Sequence, residues 1–170
     1  PRGTHALGYT MQLPIEDRYT MSKREMLARM TVMMGGRVAE ELVFNEITTG
    51  AQNDLETATT MARRMVCEFG MSERLGNLTY GKRERQMFLG RDLFEERNYS
   101  EQTAVLIDEE IRRLIDACHE RARKTLIEHR AHLDLLATTL LEKEVLDGAE
   151  VKRLVGDILP PSAPESGNHR

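Results

Sequence analysis

Few residues of this 170-residue chain combine a reactive side chain with a spacing that gives it a task, and Asp54 comes first among them. It follows a run of small and polar residues, Thr48-Thr49-Gly50-Ala51-Gln52-Asn53, and opens a helical pattern that continues through Leu55 and Ala58. Asn53 suits an N-cap and Glu56 stands three residues beyond it, a capping-box-like pair that puts Asp54 in the first turn, where a carboxylate also suits the helix dipole. On spacing alone that is helix-start chemistry, since acidic first turns are common. The five histidines, His5, His119, His129, His132 and His169, form no H-E-x-x-H. His129 and His132, three apart near a helix junction, could bind a metal, although such a pair is more often a surface feature. No G-x-S-x-G, no P-loop and no Ser or Cys with a recognisable base partner is present, so the sequence holds no complete active site.

The elements that must carry these residues are mostly helices. Ser22-Lys23-Arg24-Glu25 reads as a capping box, followed by Met26, Met30, Met33, Met34 and Val38 at helical spacing, which predicts a helix over about 23–44. Gly35-Gly36 lies inside it at a cost of about 1 kcal/mol per glycine relative to alanine. Because the periodicity carries through to Leu42 and Val43, close approach of another element is expected there in preference to a break. The Asp54 helix has an apolar stripe of Leu55, Ala58, Met61, Ala62, Met65, Val66 and Phe69, with Gly70 as its C′ residue. From residue 71 to 98 the pattern fades, a long loop that is either functional or mobile. Ser100 caps a long helix to about residue 130; a second helix takes Leu133, Leu136, Leu140 and Leu141; Asp147 and Glu150 start a short third. Upstream, Leu7, Tyr9, Met11 and Leu13 alternate and end at Pro14, predicting a strand with no partner nearby in sequence. That missing partner, together with a start lacking Met, suggests a piece of a longer chain. Residues 157–170 have nothing to bury and are expected to be disordered, leaving 1–156 as the domain.

Composition agrees with a mainly α fold carrying a small β element. The chain is 40% hydrophobic and 31% charged, aromatics reach only 5% without Trp, and there are 10 methionines, a balance suited to an aliphatic helical core. A net charge of −4 with interspersed signs gives no basic face, so nucleic acid is not expected as a partner. Cys67 and Cys118, far apart and each in a helical pattern, read as reduced, buried thiols. No apolar run is long enough to span a bilayer.

Several ordered stretches together resemble one known family. These are Gly8-Tyr9-Thr10 with Leu13-Pro14, Gly35-Gly36-Arg37-Val38-Ala39-Glu40-Glu41-Leu42-Val43-Phe44, Thr49-Gly50-Ala51-Gln52-Asn53-Asp54-Leu55 with Ala58-Thr59, Met65-Val66, Phe69-Gly70-Met71-Ser72, Phe88-Leu89-Gly90 and Tyr99-Ser100. They are similar to the peptidase domain of the FtsH family, membrane-anchored, ATP-dependent zinc proteases with a AAA+ module. The resemblance covers about residues 1–156.

The resemblance implies a helical peptidase whose zinc is held by the two histidines of an H-E-x-x-H helix and by an aspartate at the position of Asp54. The motif's histidines and its general-base Glu would lie before Pro1. It further implies ATP and magnesium at the AAA+ module, a homo-hexamer, unfolded or membrane-protein substrates, and a membrane anchor outside this chain, on the cytoplasmic side of a bacterial inner membrane. A first-turn carboxylate is rigidly aimed, which suits a ligand. Glu40 and Glu41 compete for attention: they could orient a ligand by hydrogen bonding, or simply pair with Arg37. The strand residues Leu7, Gly8, Tyr9, Thr10 and Met11 could pair with an extended substrate backbone, or belong to an ordinary small sheet. The stretch 76–98 could border the cleft or a subunit interface. The rival expectation is that this chain alone is an inert helical oligomerisation module.

Overall fold

The computed structural model describes residues 20–81, 98–156 and 158. The expected strand over 7–13, with Leu7, Gly8, Tyr9, Thr10 and Met11, lies outside them, as do residues 82–97 and nearly all of 157–170. What is described is mainly α: α1 Lys23–Phe44, a 3-10 turn Thr49–Ala51, α2 Gln52–Cys67, α3 Glu101–Glu128, α4 Arg130–Lys143 and α5 Gly148–Leu154. Among the described residues the sole β feature is an isolated antiparallel bridge between Ser72 and Gly76. None of the described helices is long and apolar enough to cross a membrane.

Helix α1 begins where its capping box requires. Ser22 accepts a hydrogen bond from the Glu25 backbone, and the Glu25 carboxylate accepts one from the Ser22 N–H at 2.7 Å. Met26, Met30, Met34 and Val38, four residues apart, form one buried row along α1. That row packs on Ile107, Ile111, Leu114, Cys118 and Ala122 of α3, while α2 closes the third side with Ala58, Ala62, Met65 and Val66. Full burial of a methionine side chain contributes about 1.5–3 kcal/mol, so the α1 row is a principal source of cohesion. Ala58 and Ala62, both wholly buried, keep the α2 side of the contact thin.

Two expectations about packing change. Helix α1 runs unbroken through Gly35 and Gly36, but among the described residues a Cβ at either position would meet nothing within 4 Å, so no described element makes the close approach expected there. Phe69 does not join the buried stripe; it is 43% exposed, with the Arg64 guanidinium 5.0 Å from its ring centroid. Gly70 is left-handed at φ 59 but lies one residue beyond the C′ position expected of it, because the C-cap of α2 is Glu68; the Met71 N–H closes the ending by donating to the Met65 carbonyl at 2.9 Å.

Helices α4 and α5 stand apart from this core. Neither contains a buried residue, and of the leucines expected to form a stripe on α4, Leu140 is 46% and Leu141 85% exposed. His129 breaks the path between α3 and α4 with φ −115 and ψ 32. Asp147 and Glu150 form the capping box of α5 as expected.

Candidate metal centre

The residue with most promise as a ligand, Asp54, is placed by the turn before α2. Thr48, extended at φ −108 and ψ 173, caps that turn by accepting the Gly50 N–H on its hydroxyl at 3.1 Å. The turn then passes into α2 through helical backbone, the Gln52 N–H bonding to the Thr49 carbonyl. As a result α2 starts at Gln52, its N-cap is Ala51 without a side-chain bond, and Asn53 is already helical. The anticipated Asn53 and Glu56 box is replaced by Gln52 Nε2 donating to Glu56 Oε1 at 3.0 Å. The side-chain cap has moved upstream to Thr48, because a 3-10 turn has already occupied donors that a cap would serve. Asp54 remains in the first turn of α2 and exposed. Among the described residues its carboxylate accepts no hydrogen bond and faces no cation within ion-pair distance.

The turn is tied to the late part of α1. Thr48 donates to Glu40 twice, through Oγ1 to Oε1 at 2.9 Å and through its N–H to Oε2 at 3.4 Å. Arg37 Nη1 donates to the Thr48 carbonyl at 2.9 Å. Gly50 belongs to this contact: a Cβ there would lie 3.3 Å from both Glu40 Oε1 and Thr48 Oγ1. Glu41 faces elsewhere, 3.5 Å from Arg37 Nε and 3.0 Å from His119 Nε2 on α3. The two adjacent glutamates thus divide, Glu40 holding the turn and Glu41 pairing with Arg37 and His119. Neither is bonded to Asp54.

The donor set can be tested directly. Hydrolytic zinc takes three protein ligands and keeps one position for water. Among the described residues no three His, Cys, Asp or Glu side chains are grouped closely enough to hold a metal. His129 and His132 stack edge to face, ring centroids 6.0 Å apart, and among the described residues no third His, Cys, Asp or Glu completes a metal-holding group with them. An open carboxylate on a braced helix start has the chemistry that one position of such a site would need.

Two polar residues were not singled out from sequence. His119 joins the Glu41 pair, and Glu110 is completely buried on α3. Glu110 accepts from Ser72 Oγ at 2.8 Å and from Arg113 at 3.0 and 3.1 Å, with Arg74 at 3.7 Å. The Arg113 guanidinium, helped by Ser72 and Arg74, holds this carboxyl below its ordinary value of 4.5 against the opposing effect of burial. Its position was a usable signal: Glu110 lies three after Ile107 and four before Leu114, within the apolar stripe. Burial likewise pushes the Cys118 thiol up.

The family model described as peptidase family M41 matches residues 1–154. The chain is 52% identical over 155 residues to an ATP-dependent zinc metalloprotease FtsH of Pseudothermotoga lettingae, covering 91% of this chain and 25% of that protein. It is 54% identical over 161 residues to FtsH 3 of Symbiobacterium thermophilum, covering 95% and 26%. To FtsH of Bacillus subtilis it is 53% identical over 156 residues, covering 91% and 24%. The chain therefore spans about a quarter of the length of these relatives.

Proposed function

From the premise that this chain belongs to peptidase family M41, we propose that it is part of the peptidase domain of an ATP-dependent zinc metalloendopeptidase, with Asp54 as one zinc ligand. The observation that carries this reading is the exposed Asp54 carboxylate, unengaged among the described residues, on a turn fastened by Glu40 and Arg37. Bound zinc would supply a water of lowered pKa as the nucleophile for peptide hydrolysis. The chain's own residues do the positioning. Helix α2 fixes the direction of Asp54, Thr48 and Gly50 set the entry into α2, and Glu40 and Arg37 hold that entry to α1. The 170 residues contain no H-E-x-x-H, so the histidine ligands and the general-base Glu are assigned to sequence outside them.

The wider protein's properties follow as parts of the same proposal. Its substrates are unfolded or membrane proteins, it works as a homo-hexamer anchored at the cytoplasmic side of a bacterial inner membrane, and ATP with magnesium acts at a AAA+ module. Residues 7–11 pair with the extended substrate backbone. The ligand assignment is tested by Asp54→Ala and Asp54→Asn in the full-length protease, reading zinc content and degradation of an unfolded protein. Both variants should lose most of their zinc and their proteolysis; full zinc content in Asp54→Ala removes the assignment.

A second reading is favoured by the absence of the motif from the sequence and by Leu140 and Leu141, exposed on α4. In that reading the isolated 170-residue chain is an inert helical assembly module. Stoichiometric zinc and proteolysis by the isolated chain would eliminate it.

A further inference from the structure

Resting on the assignment of Asp54 as a zinc ligand, we propose that His119 is a positioning residue for that ligand, acting from α3 through Glu41 and Arg37 on the turn that starts α2. The contacts are continuous. His119 Nε2 lies 3.0 Å from Glu41 Oε2, Glu41 Oε1 lies 3.5 Å from Arg37 Nε, and Arg37 Nη1 donates to the Thr48 carbonyl at 2.9 Å. Thr48 in turn caps the turn through Gly50, and that turn runs without interruption into the first turn of α2, where Asp54 stands. The link joins three elements, α3, α1 and the turn, that no single backbone segment holds together.

Burial and the local helix ends make this link effective. The side chains of His119, Glu41 and Arg37 are 32%, 28% and 19% exposed, so the contacts are partly withdrawn from water and stronger than pairs on an open surface. Helix α1 has no basic residue in its last turn to meet its terminal carbonyls. Arg130 at the start of α4 supplies one, donating Nη1 to the Leu42 carbonyl at 3.2 Å. The end of α1 is thereby gripped from α3 and α4 at adjacent residues, Glu41 and Leu42. Arg37, held by Glu41 on one side, is left with its outer nitrogen directed at Thr48. Without His119 the Glu41 carboxylate keeps Arg37 as its one partner in this group, and Arg37 can follow it away from Thr48. An N–H at the Nε2 position is what the contact needs, and a glutamine amide can deliver it from a similar reach.

The test uses the full-length protease with His119→Leu, His119→Gln and Asp54→Ala. Zinc affinity is measured by chelator competition, ligand geometry by the visible spectrum of the cobalt-substituted protein, and kcat and KM on an unfolded protein substrate. Partners that orient a metal ligand typically matter by 10–100-fold in affinity, and from three contacts away His119→Leu should weaken zinc by about tenfold, the lower end. It should also alter the cobalt spectrum and lower kcat with KM little changed. His119→Gln should restore the affinity and the spectrum. Unchanged zinc affinity and spectrum in His119→Leu, alongside zinc loss in Asp54→Ala, overturns the role of His119 and leaves Asp54 standing. Failure of His119→Gln to rescue also overturns it, marking a packing role. Retention of zinc by Asp54→Ala defeats the underlying ligand assignment.

Discussion

Ser72, just after α2, donates its hydroxyl at 2.8 Å to Glu110, a carboxylate on α3 with no exposed surface at all. The same hydroxyl accepts the Leu75 N–H at 3.2 Å, so one serine folds the segment after α2 and satisfies a buried charge. A buried acid is tolerated only when its lone pairs are occupied, and Arg113, Arg74 and Ser72 occupy those of Glu110.

Replacing Glu110 should therefore be costly and should change the acid limb of stability. Glu110→Ala strands the buried Ser72 donor and releases the half-exposed Arg113 to water, and a loss of about 1–3 kcal/mol is expected from chemical denaturation. The folded-state pKa of Glu110 is depressed. Its contribution is thus fully present above the ordinary value of 4.5 and is lost as pH falls through the lower folded value. Glu110→Gln, less stable at neutral pH by about 1–3 kcal/mol, should lose less on acidification than the unaltered protein. Parallel stability curves below pH 5 would contradict the depressed pKa.

The glycines of α1 and of the turn should respond with opposite signs. Gly36 is exposed in mid-helix with nothing among the described residues within 4 Å of a Cβ, so Gly36→Ala should stabilise by about 0.5–1 kcal/mol. Gly50→Ala pushes a methyl against Glu40 and Thr48 at 3.3 Å and should destabilise, with zinc affinity of the full-length protease falling further than melting temperature suggests. Thermal melts of both variants decide the signs, and a stabilised Gly50→Ala would show that the Glu40 contact yields freely.

Gly70 combines a left-handed backbone with a crowded site. A Cβ would lie 3.2 Å from the Asn77 Cα, and φ is 59. Gly70→Ala should cost at least about 1 kcal/mol, and more than Gly70→Asn on conformational grounds, although the larger Asn side chain must still clear Asn77. The denaturation midpoints of the two variants provide the check.

Cys67 and Cys118 are both buried thiols, and burial raises the Cys118 thiol pKa, which lowers its thiolate fraction near neutrality. Native protein should react with a thiol reagent far more slowly than denatured protein at both positions. Fast labelling of Cys118 without unfolding would place it at an accessible surface.

The helices were legible because their signals are local. Ser22 with Glu25, Ser100, and Asp147 with Glu150 each mark a start that the structure keeps, and the four-residue spacing from Met26 to Val38 is the core row of α1. Asn53 misled for the same local reason: its type suits a cap, but the 3-10 turn from Thr49 had already begun the winding. Gly35 and Gly36 carry no packing explanation among the described residues. The division of labour between Glu40 and Glu41 was beyond sequence, since adjacent residues on a helix point about 100° apart and only tertiary packing decides what each direction meets. His119 was illegible for that reason, 78 positions from its partner.

The row of Met26, Met30 and Met34 gives α1 a chemical vulnerability of its own. Conversion of a thioether to a sulfoxide adds a polar, chiral oxygen inside an apolar row. Sealed between α1 and α3, these sulfurs meet peroxide only when the helices part, so oxidative inactivation should track the opening rate of the fold. Once oxidised, α1 cannot reseat on α3, and the turn that Glu40 and Arg37 fasten to it would lose its footing along with the core.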